Sequence, residues 1–443
     1  MNNRFIKNTS WLLFGQIVQM IIGFFIGILT VRYLGPSDYG IINYVGSYIS
    51  FFTSIIGLGL NGVIIFEFVS HPEEEGKILG TAIVMRFITG IICTVIFIIL
   101  ICFTDKNNTT ILYVGLIQAI QLPFLALDTF NYWYQSKLIS KYAVIAQTSA
   151  FIIVSLYKVF LLITHKGVEW FAFSVSLSVI VVGMIYLVSY EKRKQYSLGF
   201  SKEIVLRLLR GCGPFILANM MVVIYGQMDR VMIKQILNST SAVGLYSAAM
   251  TICGLIAFIP TAILDSGRPV VMEAKLNDES TYQLRTRQLF AGLFWISCIY
   301  SIGVTIFSKF ILNLLYGSAY LAANNSVRIG AWYTTFAYLG SARNTWLICE
   351  KQNRFVFIFS CFGVASNFLM NYFLIPIYGI DGAAFATFLT EVLVCFVYPS
   401  FFRSTKQYSA CVIDAILLRN IELKKVFILL KKKIKNIVWR NKK

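Results

Sequence analysis

Apolar stretches of about twenty residues or more recur along the chain, divided by short polar connections. They predict helices over 9–34, 41–66, 78–103, 111–135, 142–163, 170–189, 215–237, 242–264, 289–312, 322–347, 355–375 and 382–402. At about 1.5 Å of rise per residue, each crosses a hydrocarbon core about 30 Å thick. In lipid every backbone N–H and C=O needs a partner within the structure, and runs this long and unbroken meet that need as helices, not as barrel strands. The pattern therefore predicts an all-α polytopic membrane protein with about twelve transmembrane helices. The first run begins after Arg4 and Lys7 and is too long for a signal-peptide core. No small-residue cleavage site precedes the second run, so the first is expected to be retained as a span.

Composition agrees: 57% of residues are hydrophobic, 13% are charged, and mean hydropathy is +0.71. The charge lies in alternate connections. One set holds Arg4 and Lys7, Lys77, Lys137 and Lys141, the basic cluster from Lys192 to Arg210, Arg268 to Arg287, Lys351 and Arg354, and the C-terminal tail. The other set holds little beyond Lys106 and Lys166, with Arg32 and Lys309 at helix ends. Basic connections stay on the cytoplasmic side, so both termini are expected there. The outer connections are short, the longest lying near 105–110, which leaves no extracytoplasmic domain for chemistry. The longest inner connection, around 191–212, joins two expected lobes, 1–190 and 213–402. Its segment 201–210 places basic residues between apolar ones at helical spacing, as in a helix on an anionic leaflet or a linker between lobes.

An internal repeat points to the same division. The connection Tyr33-Leu34-Gly35-Pro36-Ser37-Asp38-Tyr39-Gly40 follows the first run, and Leu237-Asn238-Ser239-Thr240-Ser241-Ala242-Val243-Gly244 follows the seventh. Gly40 and Gly244 stand 204 positions apart, and Gly167 and Gly379, at a second matching pair of connections, stand 212 apart. Six plus six helices in one orientation make parallel repeats, a plan in which transporters place their site between the halves.

The run 215–237 carries the most unusual chemistry. Gln227, Arg230 and Lys234 fall on one face, with Asn219 and Gly226 further along the same stripe and Asp229 beside it. A charge at the centre of a membrane helix costs at least about 2.5–3.5 kcal/mol, so these groups are expected to line a polar cavity. The bland alternative is that Lys234 snorkels to the surface while Asp229 neutralises Arg230. The nine cysteines are scattered without a CxxC pair, and His71 and His165 are the sole histidines, which excludes a multi-histidine metal site.

Five stretches in order along the chain resemble the recurring motifs of bacterial Wzx-type polysaccharide-unit flippases. They are Arg32-Tyr33-Leu34-Gly35-Pro36-Ser37-Asp38-Tyr39-Gly40, Gln227-Met228-Asp229-Arg230-Val231-Met232-Ile233, Val243-Gly244-Leu245-Tyr246, Leu315-Tyr316-Gly317-Ser318-Ala319-Tyr320 and Ile375-Pro376-Ile377-Tyr378-Gly379-Ile380-Asp381-Gly382. The resemblance covers nearly the whole chain. It implies the fold of the multidrug/oligosaccharidyl-lipid/polysaccharide exporter superfamily, with a cationic central cavity between two six-helix lobes. The implied passenger is an undecaprenyl-pyrophosphate-linked oligosaccharide, an O-antigen or similar repeat unit, moved from the inner to the outer leaflet of the bacterial inner membrane. Partners in that setting are the polysaccharide polymerase and its chain-length regulator.

The residues suit such a passenger. A pyrophosphate with polar sugars crosses hydrocarbon at high cost, and fixed positive charge lowers that cost. Arg86, Lys158, Arg230, Lys234 and Arg343 lie within the expected spans, and the acids there are fewer. Asp128 and Glu391 either carry protons, if transport is coupled to H+ or Na+, or pair with the bases. No cofactor or metal is expected. An ATP-driven transporter should carry a phosphate loop, and no GxxxxGK[ST] occurs. A multidrug exporter of the same superfold, expected to have an acid-dominated cavity, and a lipid II-type flippase, commonly with two further helices, are the alternatives. The tail 403–443 holds twelve bases and two acids, +10 of the net +19. Within it the apolar residues from Ile421 to Val438 fall at helical spacing, which predicts an amphipathic helix lying on anionic phospholipid at the inner leaflet in preference to nucleic acid.

Overall fold

The computed structural model describes residues 3–194 and 196–419, leaving aside the side chains of 3–10, 12–13, 61 and 211–219. The amphipathic helix expected in the tail beyond residue 419, and the side chain of Asn219, lie outside the described residues. The chain forms α1 (Asn3–Gly57), α2 (Leu60–Ser70), α3 (Glu75–Thr104), α4 (Thr109–Ala119), α5 (Gln121–Phe124), α6 (Thr129–Ser136), α7 (Lys141–Ile163) and α8 (Val168–Glu191). There follow α9 (Lys202–Leu237), α10 (Thr240–Cys253), α11 (Phe258–Asn277), α12 (Glu279–Tyr316), α13 (Asn324–Cys349), α14 (Arg354–Val392), α15 (Tyr398–Phe401) and α16 (Lys406–Ile416). Each apolar run lies largely on helix.

Among the described residues seven helical stretches are long and apolar enough to cross a membrane, or eight if α10 and α11 count together. The chain is a multi-pass membrane protein. Part of the difference from twelve arises where a kink joins two helices into one stretch, and α9 and α13 are not among the seven. One stretch, Phe14–Ser70, has 57 residues, and another, Arg354–Phe401, has 48. At about 1.5 Å per residue these are roughly 85 and 72 Å of helix, far beyond a core of about 30 Å. The first contains Gly35 at φ 66°, ψ 178°, followed by Pro36, and the second contains Gly379 at φ 59°, ψ −133°, three residues after Pro376. Only glycine takes these positive φ values without a Cβ clash, and proline withholds an N–H from the helix before it.

Helix α3 shows how lipid reverses the usual helical pattern. Leu79, Ala82, Arg86, Gly90, Cys93, Phe97 and Ile101 are buried at spacings of three and four, while Phe87, Ile88, Ile91, Ile92, Val95 and Ile99 are exposed. Both faces are apolar, as in a helix surrounded by hydrocarbon, and its one mid-helix charge points inward.

Helix α9 differs from expectation at its start. Lys202–Arg210 and the run 215–237 form one continuous helix rather than a surface helix followed by a span. Its apolar face has protein to pack on: Ile204 and Leu208 are buried in a core with Phe68, Leu79, Phe130, Tyr134 and Tyr190. On its other side Arg207 Nη1 reaches Glu74 Oε2 at 3.0 Å and Glu67 Oε2 at 3.3 Å. The chain before α9 is held along α3, with Gly199 N–H donating to the Gly76 carbonyl at 3.1 Å and Ser201 N–H to Thr81 Oγ1 at 3.0 Å.

Packing divides the chain into two units. The first comprises Met1–Met250, Ser308–Ser326 and Val364–Ala386, and the second Thr251–Phe307, Val327–Gly363 and Thr387–Lys443. The second unit has its own core of Tyr282, Phe290, Leu339, Trp346, Phe359 and Tyr408. At its polar end Lys275 Nζ bridges Glu350 at 2.8 Å and Glu279 at 3.0 Å. Asp278 caps α12, accepting from the Ser280 hydroxyl and, at 2.7 Å, the Thr281 N–H. These donors hold its carboxyl down at about 2.

Candidate substrate-handling site

The polar stripe of α9 lies in the first unit, and its members take different surroundings. Arg230 is half-buried, with Nη1 donating to Gln227 Oε1 at 2.6 Å and Nε to Ser247 Oγ on α10 at 3.0 Å. Both acceptors are neutral, and no carboxylate lies within ion-pairing distance of this guanidinium among the described residues. Gln227 is itself held by the Ser47 hydroxyl on α1 at 3.3 Å. Gln227 and Arg230 are neighbours one turn apart, as the spacing predicts.

Asp229 faces elsewhere. It accepts from the Tyr246 hydroxyl and, at 2.7 Å, from Asn371 Nδ2 on α14. The same Asn371 amide donates to Asn367 Oδ1 at 3.0 Å, and Asn371 Oδ1 is buried without a partner. The charge on Asp229 is thus met by neutral donors on two other helices.

Lys234 does not snorkel. It is 7% exposed, with Nζ 3.4 Å from Asp105 Oδ1 and 3.1 Å from Asn238 Oδ1. Asp105 Oδ2 accepts from the Tyr44 hydroxyl at 2.8 Å, and Gln235 Nε2 donates to that same hydroxyl at 2.7 Å. Beside this group a row of contacts joins the chain's first helices to its later ones. A Cβ on Gly40 would overlap the Thr240 carbonyl, and a Cβ on Gly244 would overlap the Pro36 carbonyl. The Ser37 and Thr240 hydroxyls are 3.0 Å apart, Tyr320 donates to the Val31 carbonyl at 2.9 Å, and Arg32 donates to the Leu314 carbonyl at 2.9 Å.

The remaining expected site residues have other surroundings. Arg86 is buried in α3, donating to Thr129 Oγ1 at 3.0 Å with its guanidinium 5.9 Å from the Tyr132 ring centroid. Asp128 precedes Thr129 and lies within electrostatic reach of Arg86, so these two charges form a separate pair of groups in the first unit. Lys158 is half-buried on α7, with no ion pair among the described residues. Arg343 and Glu391 belong to the second unit. Arg343 is buried, donating to the Val394 carbonyl at 2.5 Å and lying 5.1 Å from the Phe359 ring centroid.

Sequence reasoning missed Asp105, Tyr44, Gln235, Ser47, Tyr246 and Asn371. Asp105 stood out only as an acid directly after a long apolar run, and Tyr44 only as a neighbour of the Arg32–Gly40 motif. Their link to α9 is tertiary.

The sequence profile of the polysaccharide biosynthesis protein family matches residues 5–274, more than half of the chain. The chain belongs to the polysaccharide biosynthesis protein family. A curated relative, the probable flippase AglR of Haloferax volcanii, is 28% identical over 259 residues, 55% of this chain and 51% of the relative. The chain thus spans about half the length of the curated relative it matches. The fold of this family member is similar to two kinds of solved structure. The lipid II flippase MurJ in an inward closed conformation matches with a TM-score of 0.69 and 14% identity, over 98% of this chain and 99% of that one. An inward-facing multidrug resistance MATE family transporter of the MOP superfamily matches with a TM-score of 0.67 and 14% identity, over 89% and 95%. At that identity the likeness establishes the fold alone, one shared with MurJ and the MATE transporter.

Proposed function

We propose that this family member is a flippase that moves undecaprenyl-pyrophosphate-linked oligosaccharide repeat units, of O-antigen or a similar surface polysaccharide. Movement is from the cytoplasmic to the outer leaflet of the bacterial inner membrane. The observation that carries the reading is Arg230, a half-buried guanidinium held by Gln227 and Ser247, with no carboxylate paired to it among the described residues. A membrane protein bears that cost where an anion is to be received, and a guanidinium presents paired N–H donors to phosphate oxygens. Membership in a polysaccharide biosynthesis family supports a glycan passenger, and the likeness to a probable flippase supports its movement across the membrane.

In this reading the frame has twelve spans in two six-helix lobes, 1–190 and 213–402, around a central cavity. Dividing the two overlong stretches at Gly35 and Gly379, and adding α9, α13 and the α10–α11 pair, supports that count. Lys234 and Gln227 serve the same site as Arg230, and Asp229, turned toward Tyr246 and Asn371, braces the helix beside it. Arg86, Lys158 and Arg343 supply further positive charge, and Asp128 and Glu391 are the acids available for coupling to H+ or Na+. Both termini are cytoplasmic, and the basic tail rests on anionic lipid beside the polymerase and chain-length regulator.

The test is complementation. In a host lacking this gene, Arg230→Ala should fail to restore surface glycan while the protein accumulates normally, and Arg230→Lys should restore part of it. Full restoration by Arg230→Ala would overturn the assignment.

A further inference from the structure

Asp105 follows the C-terminus of α3 and is 6% exposed, with its two carboxylate oxygens committed to different helices. Oδ1 faces Lys234 Nζ on α9 at 3.4 Å. Oδ2 takes the Tyr44 hydroxyl of α1 at 2.8 Å and the adjacent Thr104 hydroxyl at 2.9 Å. Tyr44 in turn holds the Gln235 amide, and the Lys234 ammonium stands 5.8 Å from the Tyr44 ring centroid. One ion pair therefore ties α1 and α3 to α9. Every other tie named above along this row is neutral or runs to a backbone carbonyl: the Gly40–Gly244 contact, the Ser37–Thr240 hydroxyls, and the carbonyls of Val31 and Leu314. One turn along the same face of α9, Arg230 has no carboxylate partner among the described residues. Two cations thus share a face, one paired with a carboxylate and one held by neutral groups.

A buried ion pair contributes little net stability, because desolvating both charges offsets most of their attraction. The same near-balance makes it exchangeable. A phosphate oxygen offers an ammonium the same kind of charge-assisted hydrogen bond as a carboxylate, and a pyrophosphate brings more negative charge. An anion that binds the released Lys234 better than the paired one shifts the population toward the released state.

We propose that Asp105 is a built-in stand-in for the anionic group of the cargo. With the site empty it occupies Lys234 and draws α1, α3 and α9 together. A pyrophosphate reaching Arg230 and Lys234 displaces it, and the Gly40–Gly244 seam is then free to part. Asp105 is a positioning residue that acts through Lys234 and never touches the cargo. The inference rests on the anionic cargo proposed above.

The test uses the purified full-length chain in lipid nanodiscs, where both faces meet the reagent, with Ser47→Cys as reporter. Ser47 is 2% exposed and hydrogen-bonded to Gln227 across this row of contacts. The rate of thiol labelling is read against the same chain without the reporter, which sets the background of native cysteines. Labelling should be slow, and sodium pyrophosphate should raise it several-fold where sodium chloride of equal ionic strength does not. Asp105→Asn should raise it several-fold without pyrophosphate, and pyrophosphate should then add little. Asp105→Glu should keep both the slow rate and the response. The exchanged pair Asp105→Lys with Lys234→Asp should keep the slow rate and lose the response, which a merely misfolded chain would not do. Slow labelling in Asp105→Asn, fast labelling in the exchanged pair, or no effect of pyrophosphate on the reporter chain would each overturn the proposal. Translocation plays no part in this readout, so failure here is separate from failure of the cargo assignment, which the glycan assay reads.

Discussion

Gly40 lies against the Thr240 carbonyl and Gly244 lies against the Pro36 carbonyl, so two glycines 204 positions apart press on the helix starts of one another. Pro36 precedes Gly40 by four residues and Thr240 precedes Gly244 by four, so the contact is self-complementary, as a two-fold interface between identical partners would be. The two connections that match in sequence thus meet in space.

A methyl group at either glycine has no room, because the obstacle is backbone. Gly40→Ala and Gly244→Ala should each destabilise the chain by about 1–3 kcal/mol, the range for overpacking a close contact. The double variant should lose less than the sum, since one displacement relieves both clashes. Thermal unfolding in detergent checks this, and melting temperatures unchanged from the parent would contradict the close approach.

Lys234 and Arg230 should separate in their effect on protein quantity. Lys234→Ala leaves the Asp105 carboxylate buried without its cation, a loss of about 3–5 kcal/mol for a broken buried pair. Its yield and melting temperature should fall, and adding Asp105→Asn should restore much of both. Arg230→Ala frees only Gln227 and Ser247, which are neutral, so its yield should stay near normal. Membrane yield and melting temperature of the three variants decide the matter.

The apolar runs made the helices legible, because lipid imposes a length and forbids unpaired backbone whatever the tertiary structure. The continuity of α9 through Lys202–Arg210 was not legible, since an amphipathic segment reads alike whether its apolar face meets lipid or Phe68 and Tyr190. The breaks at Gly35 and Gly379 were legible, since a proline and a glycine together mark a helix end, and the expected ends at Leu34 and Ile375 fall near them. In the site, Gln227 and Arg230 could be paired from periodicity within one helix. The Asp105 partner of Lys234 and the Asn371 partner of Asp229 come from more than a hundred positions away, and no local pattern carries such a link. The snorkelling alternative for Lys234 failed for that reason: a burial partner 129 positions distant is invisible in one sequence.

Orientation has its own check. A reporter active only in the cytoplasm should work when fused after Lys194 and stay silent when fused after Asn107, because the basic connections are retained inside. Reversed signals would invert the direction of transport proposed here.

The most direct measurement is translocation itself. Purified protein in liposomes, given an undecaprenyl-pyrophosphate-linked oligosaccharide confined at first to one leaflet, should move it within reach of a membrane-impermeant glycosidase on the other side. The rate should exceed that of empty liposomes by at least tenfold, and Arg230→Ala should return it to background. Wild-type protein no faster than empty liposomes, or an Arg230→Ala variant as fast as wild type, would contradict the account.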